Sequence, residues 1–216
     1  TFEYAVTSGY TALCSANLPE PEIIDSSEHF NTVIYSGNGA NNRSISVGHA
    51  SDFVWLKTRN EANFHQLFDS VRGAGKHLVS SATTAEVNQD ANGYISFNSD
   101  GFVTVDGTNS NSRVNYDDDS TNTYVAWSWV AGTAASGSES GNNPAFSSSS
   151  NSKAGFSIVS YTGTGAAGTV SHGCGAIPSY IIVKNRDATD NWAVYYGDNT
   201  DYLILNTTAA TADAAA

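Results

Sequence analysis

Part of this chain occurs twice, and no other feature limits its fold so strongly. Residues 30–40, from Phe30 through Tyr35 and Gly37 to Ala40, lie over residues 156–166, from Phe156 through Tyr161 and Gly163 to Ala166, at an offset of 126. Residues 52–59 lie over 179–186 at an offset of 127, and residues 78–81 correspond more loosely to 204–207. Collinear matches with one inserted residue between them mark a duplicated unit. Gly37 and Gly39 recur as Gly163 and Gly165, which predicts a turn needing positive φ or close backbone approach. Lys57 and Arg59 recur as Lys184 and Arg186, a pair expected to serve local carboxylates, and the change of Trp55 to Ile182 marks a core volume. Nothing after Thr208 matches residues 93–130, so the second copy is expected to be finished elsewhere or to pack poorly. The sequence has no Met and Thr1 to Tyr4 alternate like a strand under way, so it reads as a piece of a longer polypeptide.

Between the matches the apolar runs are short and bounded by Gly, Asn, Asp and Ser, the punctuation of strands rather than helices. The clearest are 32–35, 53–56, 94–97, 102–105 and 124–129. Ser, Thr, Asn and Gly make up about two fifths of the chain, a composition poor for long helices. With 40% hydrophobic residues there is still enough apolar side chain for a core. The expected class is all-β, an antiparallel β-sandwich in repeats with the second copy incomplete. Residues 1–24 read as the strand Gly9–Cys14 closing a preceding sandwich, then an exit stiffened by Pro19 and Pro21; 25–132 as the first repeat; 133–153 as a Ser/Gly/Asn-rich linker or long loop; 154–216 as the partial repeat. Val125, Trp127 and Trp129 alternate along one strand face and are expected to fill the sandwich core.

With 9 Lys+Arg against 21 Asp+Glu the net charge is −12, which argues against nucleic acid as a partner. No run approaches the length of a membrane span, so no membrane insertion is expected. Glu3, Glu20, Glu22, Glu28, Glu61, Glu86 and Glu139 nowhere take the Glu-x-Asp-x-Glu spacing of a sandwich glycosidase. There is no Gly-x-Ser-x-Gly elbow, and His29, His49, His65, His77 and His172 lack metal-ligand spacing. Gly73 to Lys76 lacks the earlier glycine and following hydroxyl of a phosphate loop. Cys14 and Cys174 read as small buried hydrophobes. A role without catalysis or cofactor is expected. Calcium is a weak candidate at Asp117, Asp118 and Asp119, which lack EF-hand spacing and read first as a solvated loop. Tyr35, Tyr116, Trp127, Trp129 and Trp192 are of the type that stacks on sugars, and loops on a rigid scaffold carry recognition. The candidate ligand-binding residues are therefore Asn41, Asn42, Arg43, Asn63 and Tyr116.

The segments 52–59, 67–76, 96–102 and 124–129, in that order, resemble a repeated domain of bacteriophage tail and tail-fibre proteins of the marine phage and cyanophage kind, and 155–161 with 182–186 is similar. Residues 9–19 resemble the closing strand of a SPRY-type concanavalin-like sandwich. The resemblance covers most of the chain outside 133–153 and brings no catalytic residues with it. It implies concanavalin or jelly-roll-like sandwiches in a virion structural protein, a fibre, spike or other tail appendage. It further implies a host-surface glycan or receptor and other tail proteins as partners, in a homo-oligomer of the trimeric kind. No heptad pattern for trimerisation is present. A secreted bacterial glycan-binding or adhesion module, or a polysaccharide-degrading enzyme domain, are the alternatives.

Overall fold

Strict two-residue alternation organises the first unit. The computed structural model describes residues 7–10, 14, 17–89, 93–107, 114–116, 122–198 and 200–213. Its strands up to residue 129 are β1 (Phe30–Ser36), β2 (Arg43–Ser46), β3 (Phe53–Thr58), β4 (Gln66–Asp69), β5 (Lys76–Val79), β6 (Val87–Asn88), β7 (Tyr94–Asn98), β8 (Gly101–Val105) and β9 (Thr123–Trp129). They form a six-stranded antiparallel sheet, β1-β9-β3-β4-β5-β6, and a three-stranded one, β2-β8-β7. The two pack face to face as an all-β sandwich. Register sets the core: Val33 pairs with Ala126, which pairs with Leu56, so a small residue lies between two branched ones. Val54, Leu56, Phe68, Tyr124 and Ala126 meet Ile45, Ile95 and Phe102 from the small sheet.

The core face of β9 is the opposite of the one expected from its sequence. Tyr124, Ala126 and Ser128 are buried in the sandwich, and Val125, Trp127 and Trp129 point out of it. Ser128 is tolerated there because its hydroxyl bonds Ser51 Oγ at 2.7 Å. The outward face is itself covered, so both faces of β9 are apolar and alternation alone could not tell them apart. Phe30, Phe53 and Trp129 cluster on it at centroid distances of 4.8 and 5.4 Å. Phe156 stacks on Trp129 at 5.9 Å and meets Phe53 edge-on. Trp192 closes a second cluster with Leu67 and Leu78, and its indole N–H donates to the carbonyls of Val79 and Ala82. The later part of the chain thus forms a third layer on the large sheet.

That layer begins where the sequence reads as linker. Residues 133–153 instead hold β10 (Thr133–Gly137) and β11 (Phe146–Asn151), and β11 pairs with β12 (Phe156–Tyr161) in a sheet ordered β10-β11-β12. The serines signal flexibility only while their backbone is unpaired; as the middle strand of a ladder, Ser148, Ser149 and Ser150 are buried. Asn151 ties this sheet to the first unit through His29 Nδ1 and the carbonyl of Val130. Then follow β13 (Ile181–Val183), β14 (Ala193–Tyr195), β15 (Asp201–Ile204) and β16 (Ala212–Asp213), a four-stranded sheet in sequence order. Residues 7–10 and 17–24 carry turns and bends, and most of the strand expected at Gly9–Cys14 lies outside the described residues. Cys14 and Cys174 are free thiols, each only half-buried rather than core residues.

The lysines of the duplicated pairs serve the backbone rather than carboxylates. Lys57 Nζ donates to the carbonyls of Thr58 and Glu61, and Lys184 Nζ to those of Asn185 and Ala188, one and four residues on in both places. Arg186 does meet a carboxylate: Nε and Nη2 donate to Glu86 at 2.8 Å each. Glu86 also accepts from Arg72, which is buried against Asp69. Burial raises the Glu86 pKa, but the bonds and charges of Arg186 and Arg72 outweigh it and hold the carboxyl below its ordinary value.

Two expectations follow. Trp192→Ala should cost about 3–5 kcal/mol in chemical denaturation and Trp192→Phe about 1–2, since phenylalanine keeps packing and loses only the indole bonds. Because the folded pKa of Glu86 is depressed, its contribution is complete above the unfolded value of about 4.3 and is lost as pH falls through the folded one. Melting temperatures recorded down this range should therefore drop more steeply for the parent chain than for Glu86→Gln, which starts lower at neutral pH.

Candidate functional site

One end of the first sandwich is made of loops that brace each other. β1 ends there at Ser36, β3 at Thr58, and β9 begins there at Thr123. Tyr35 pairs with Tyr124 and Tyr124 with Thr58, so the three termini are level. The loops are stitched by backbone bonds: Gly37 N–H donates to the carbonyl of Asn122 at 2.8 Å, and Arg59 N–H to that of Thr123 at 2.7 Å. Asn60 Oδ1 accepts from Thr123 N–H.

Asn115, fully buried, is the hub. Its carbonyl accepts from the N–H groups of Asn38 and Gly39. Its side-chain NH₂ donates to Asn38 Oδ1 and to the carbonyl of Ala40, both at 2.8 Å, and its Oδ1 accepts from Arg43 at 2.9 Å. Gly37 must be glycine: a Cβ there would meet the carbonyl oxygen of Tyr116 at 2.0 Å. Tyr35 lies below, its hydroxyl donating to the carbonyl of Val114, its ring stacked on Tyr124 at 5.1 Å and under the Arg43 guanidinium at 5.4 Å. Burial, then the neighbouring Tyr124, raises the Tyr35 phenol well above its ordinary pKa, against the opposing charge of Arg43. The phenol is therefore a permanent donor here.

The sequence-derived candidates converge on this end but divide in role. Arg43 is a strut, spent on the carbonyl of Ser36, Asn115 and the Tyr35 ring. Asn41 and Asn42 stand exposed at the loop tip, Asn42 with φ of 59°, a left-handed conformation that asparagine tolerates better than most residues. Asn63 is half-buried and donates to Thr58 Oγ1 at 3.3 Å. Tyr116 lies beside Asn115 and accepts at its carbonyl from the Tyr124 hydroxyl. Asp117, Asp118 and Asp119, the calcium candidates, lie outside the described residues. Trp192 is occupied in the interlayer contact, and Trp127 and Trp129 face the same layer, so none of the three belongs to the loop end.

Nearby, Trp55 Nε1 donates to His65 Nδ1 at 2.8 Å. Burial, then the charge of Lys57, lowers the His65 pKa, so the ring is neutral with its proton on Nε2. Burial likewise lowers Lys57 against the pull of Glu61. Among the described residues no group of three His, Cys, Asp or Glu side chains could hold a metal ion. The exposed chemistry of this end is amide donors and acceptors with an aromatic ring beside them.

A family model described as a domain of unknown function, DUF7483, matches residues 25–216. The chain belongs to this family. No curated protein and no solved structure matches it. The DUF7483 match is continuous across the first sandwich, the β10–β12 sheet and the β13–β16 sheet.

Asn115 was not singled out in the sequence because it is one of 21 asparagines, and nothing local separates a buried hub from a solvated loop residue. The recurring Gly37 and Gly39 were the available signal that a backbone contact sits opposite them. Asn115→Ala strands the carbonyl of Ala40 and the Arg43 guanidinium, and should cost about 1–3 kcal/mol in urea denaturation with an unchanged m-value.

Proposed function

We propose that this chain is a structural and adhesive component of a phage virion appendage, a tail fibre or spike, and that it carries the loop end of its first sandwich to a host-surface glycan. The observation supporting the adhesive role is the braced loop end itself. Asn115, Arg43 and Tyr35 fix the loop from beneath, while Asn41, Asn42 and Asn63 supply amides at its rim. An amide presents two donors and an acceptor, which matches neighbouring sugar hydroxyls, and Tyr116 adds a ring for a sugar face. Preformed loops lose little conformational freedom on binding. The phage setting rests on the resemblance of segments 52–59, 67–76, 96–102 and 124–129 to tail-fibre repeats. In that setting other tail proteins hold the chain, it works as a homo-oligomer of trimeric type, and repeated weak sites add through avidity. The role is binding without cleavage and without a cofactor.

A glycan array probed with the chain should show retained ligands. Combining Asn41→Ala with Asn63→Ala should weaken retention about tenfold, ~1.4 kcal/mol, at an unchanged melting temperature. Steady release of reducing ends from a bound polysaccharide would replace this reading with an enzymatic one. Absence of the chain from purified particles imaged by cryo-electron microscopy would favour a secreted bacterial adhesion module.

A further inference from the structure

The third layer contains a gap of defined shape. In the first unit β9 lies between β1 and β3 and pairs with both, residues 30–36 on one side and 53–58 on the other. The strands matching β1 and β3 by sequence are β12 and β13. Among the described residues β12 is the last strand of its sheet and β13 the first of the next, with no strand hydrogen-bonded between them. They nonetheless lie close, because Arg186, just past β13, donates from Nη1 to Ser160 Oγ on β12 at 2.6 Å. Two unpaired edges are thus held within one arginine side chain of each other.

Exposure tells the same story on the face. Val54 and Leu56 on β3 are 0% exposed beneath β9's neighbours and the small sheet. Ile181 and Val183, at the matching positions of β13, are each 40% exposed, and Tyr161, matching Tyr35, is 46% exposed. Large apolar side chains left open beside unpaired strand edges are a template for strand addition.

We propose that the slot between β12 and β13 is a strand-binding site whose occupant is an extended segment with β9's pattern, running antiparallel to both edges. The first unit defines that occupant: alternating residues of which one set, like Tyr124, Ala126 and Ser128, is small or slim enough to lie between branched neighbours, and the other, like Trp127 and Trp129, is aromatic. Main-chain bonds to two edges supply affinity, and the alternation supplies specificity. This inference rests on the sheets alone and is independent of the glycan reading.

The probe is a synthetic peptide with the sequence of Asn122–Val130, flanked by lysines, added to the full chain and followed by amide hydrogen exchange. Exchange in β12 and β13 should slow at least about tenfold at saturation with one peptide per chain. The peptide carrying Ala126→Pro, which cannot complete the ladder, should leave both strands unchanged. No slowing, slowing confined to β1 and β3, or slowing without peptide that grows with protein concentration would each overturn the proposal; the last would mean that a second copy covers the edges.

Discussion

The large sheet of the first unit is buried from both sides, and most of the architecture follows from that. A sheet with one wet face can mark its inner side by alternation, whereas one buried between two layers needs apolar residues on both. β9 meets this by division, with Tyr124, Ala126 and Ser128 toward the small sheet and the indoles of Trp127 and Trp129 away from it. The polar cost is confined to satisfied groups: the Ser51–Ser128 hydroxyl pair, the Trp192 indole on two carbonyls, and the carboxylate of Glu86 shared by two guanidinium groups. Each bond joins parts of the chain far apart in sequence, so the layers hold one another in register.

Much of this was legible from the residues. The short punctuated runs give β1, β3, β7, β8 and β9 nearly to the residue, because turn chemistry at their ends is local. What escaped was whatever depends on a distant partner. Trp127 and Trp129 were assigned to the wrong face because the layer that covers them is supplied from residues beyond 150. Residues 133–153 looked like a linker because serine composition reports on a strand only through its ladder, and the ladder partner lies at 156–161. Lysines 57 and 184 looked like ion-pair residues, whereas short-range geometry brings carbonyls to them first.

At the loop end the same distinction separates residues that touch solvent from residues that hold them. Asparagine-rich loops were recognisable as a recognition surface by type. The buried asparagine beneath them was not, since its importance lies in four partners contributed by the β1–β2 loop and β2. The exposed amides sit on a polar core that is already complete, so changes at the tips leave the scaffold intact.

The incoming and outgoing strands of the first sandwich lie side by side at the far end from those loops: Phe30 pairs with Trp129, and the Val130 N–H donates to the carbonyl of His29 at 2.9 Å. The unit is therefore suspended like a pendant, joined to the rest of the chain at one pole and presenting the other. Its tips can diversify in length and sequence while the point of suspension, and with it the alignment of everything that follows, stays where it is.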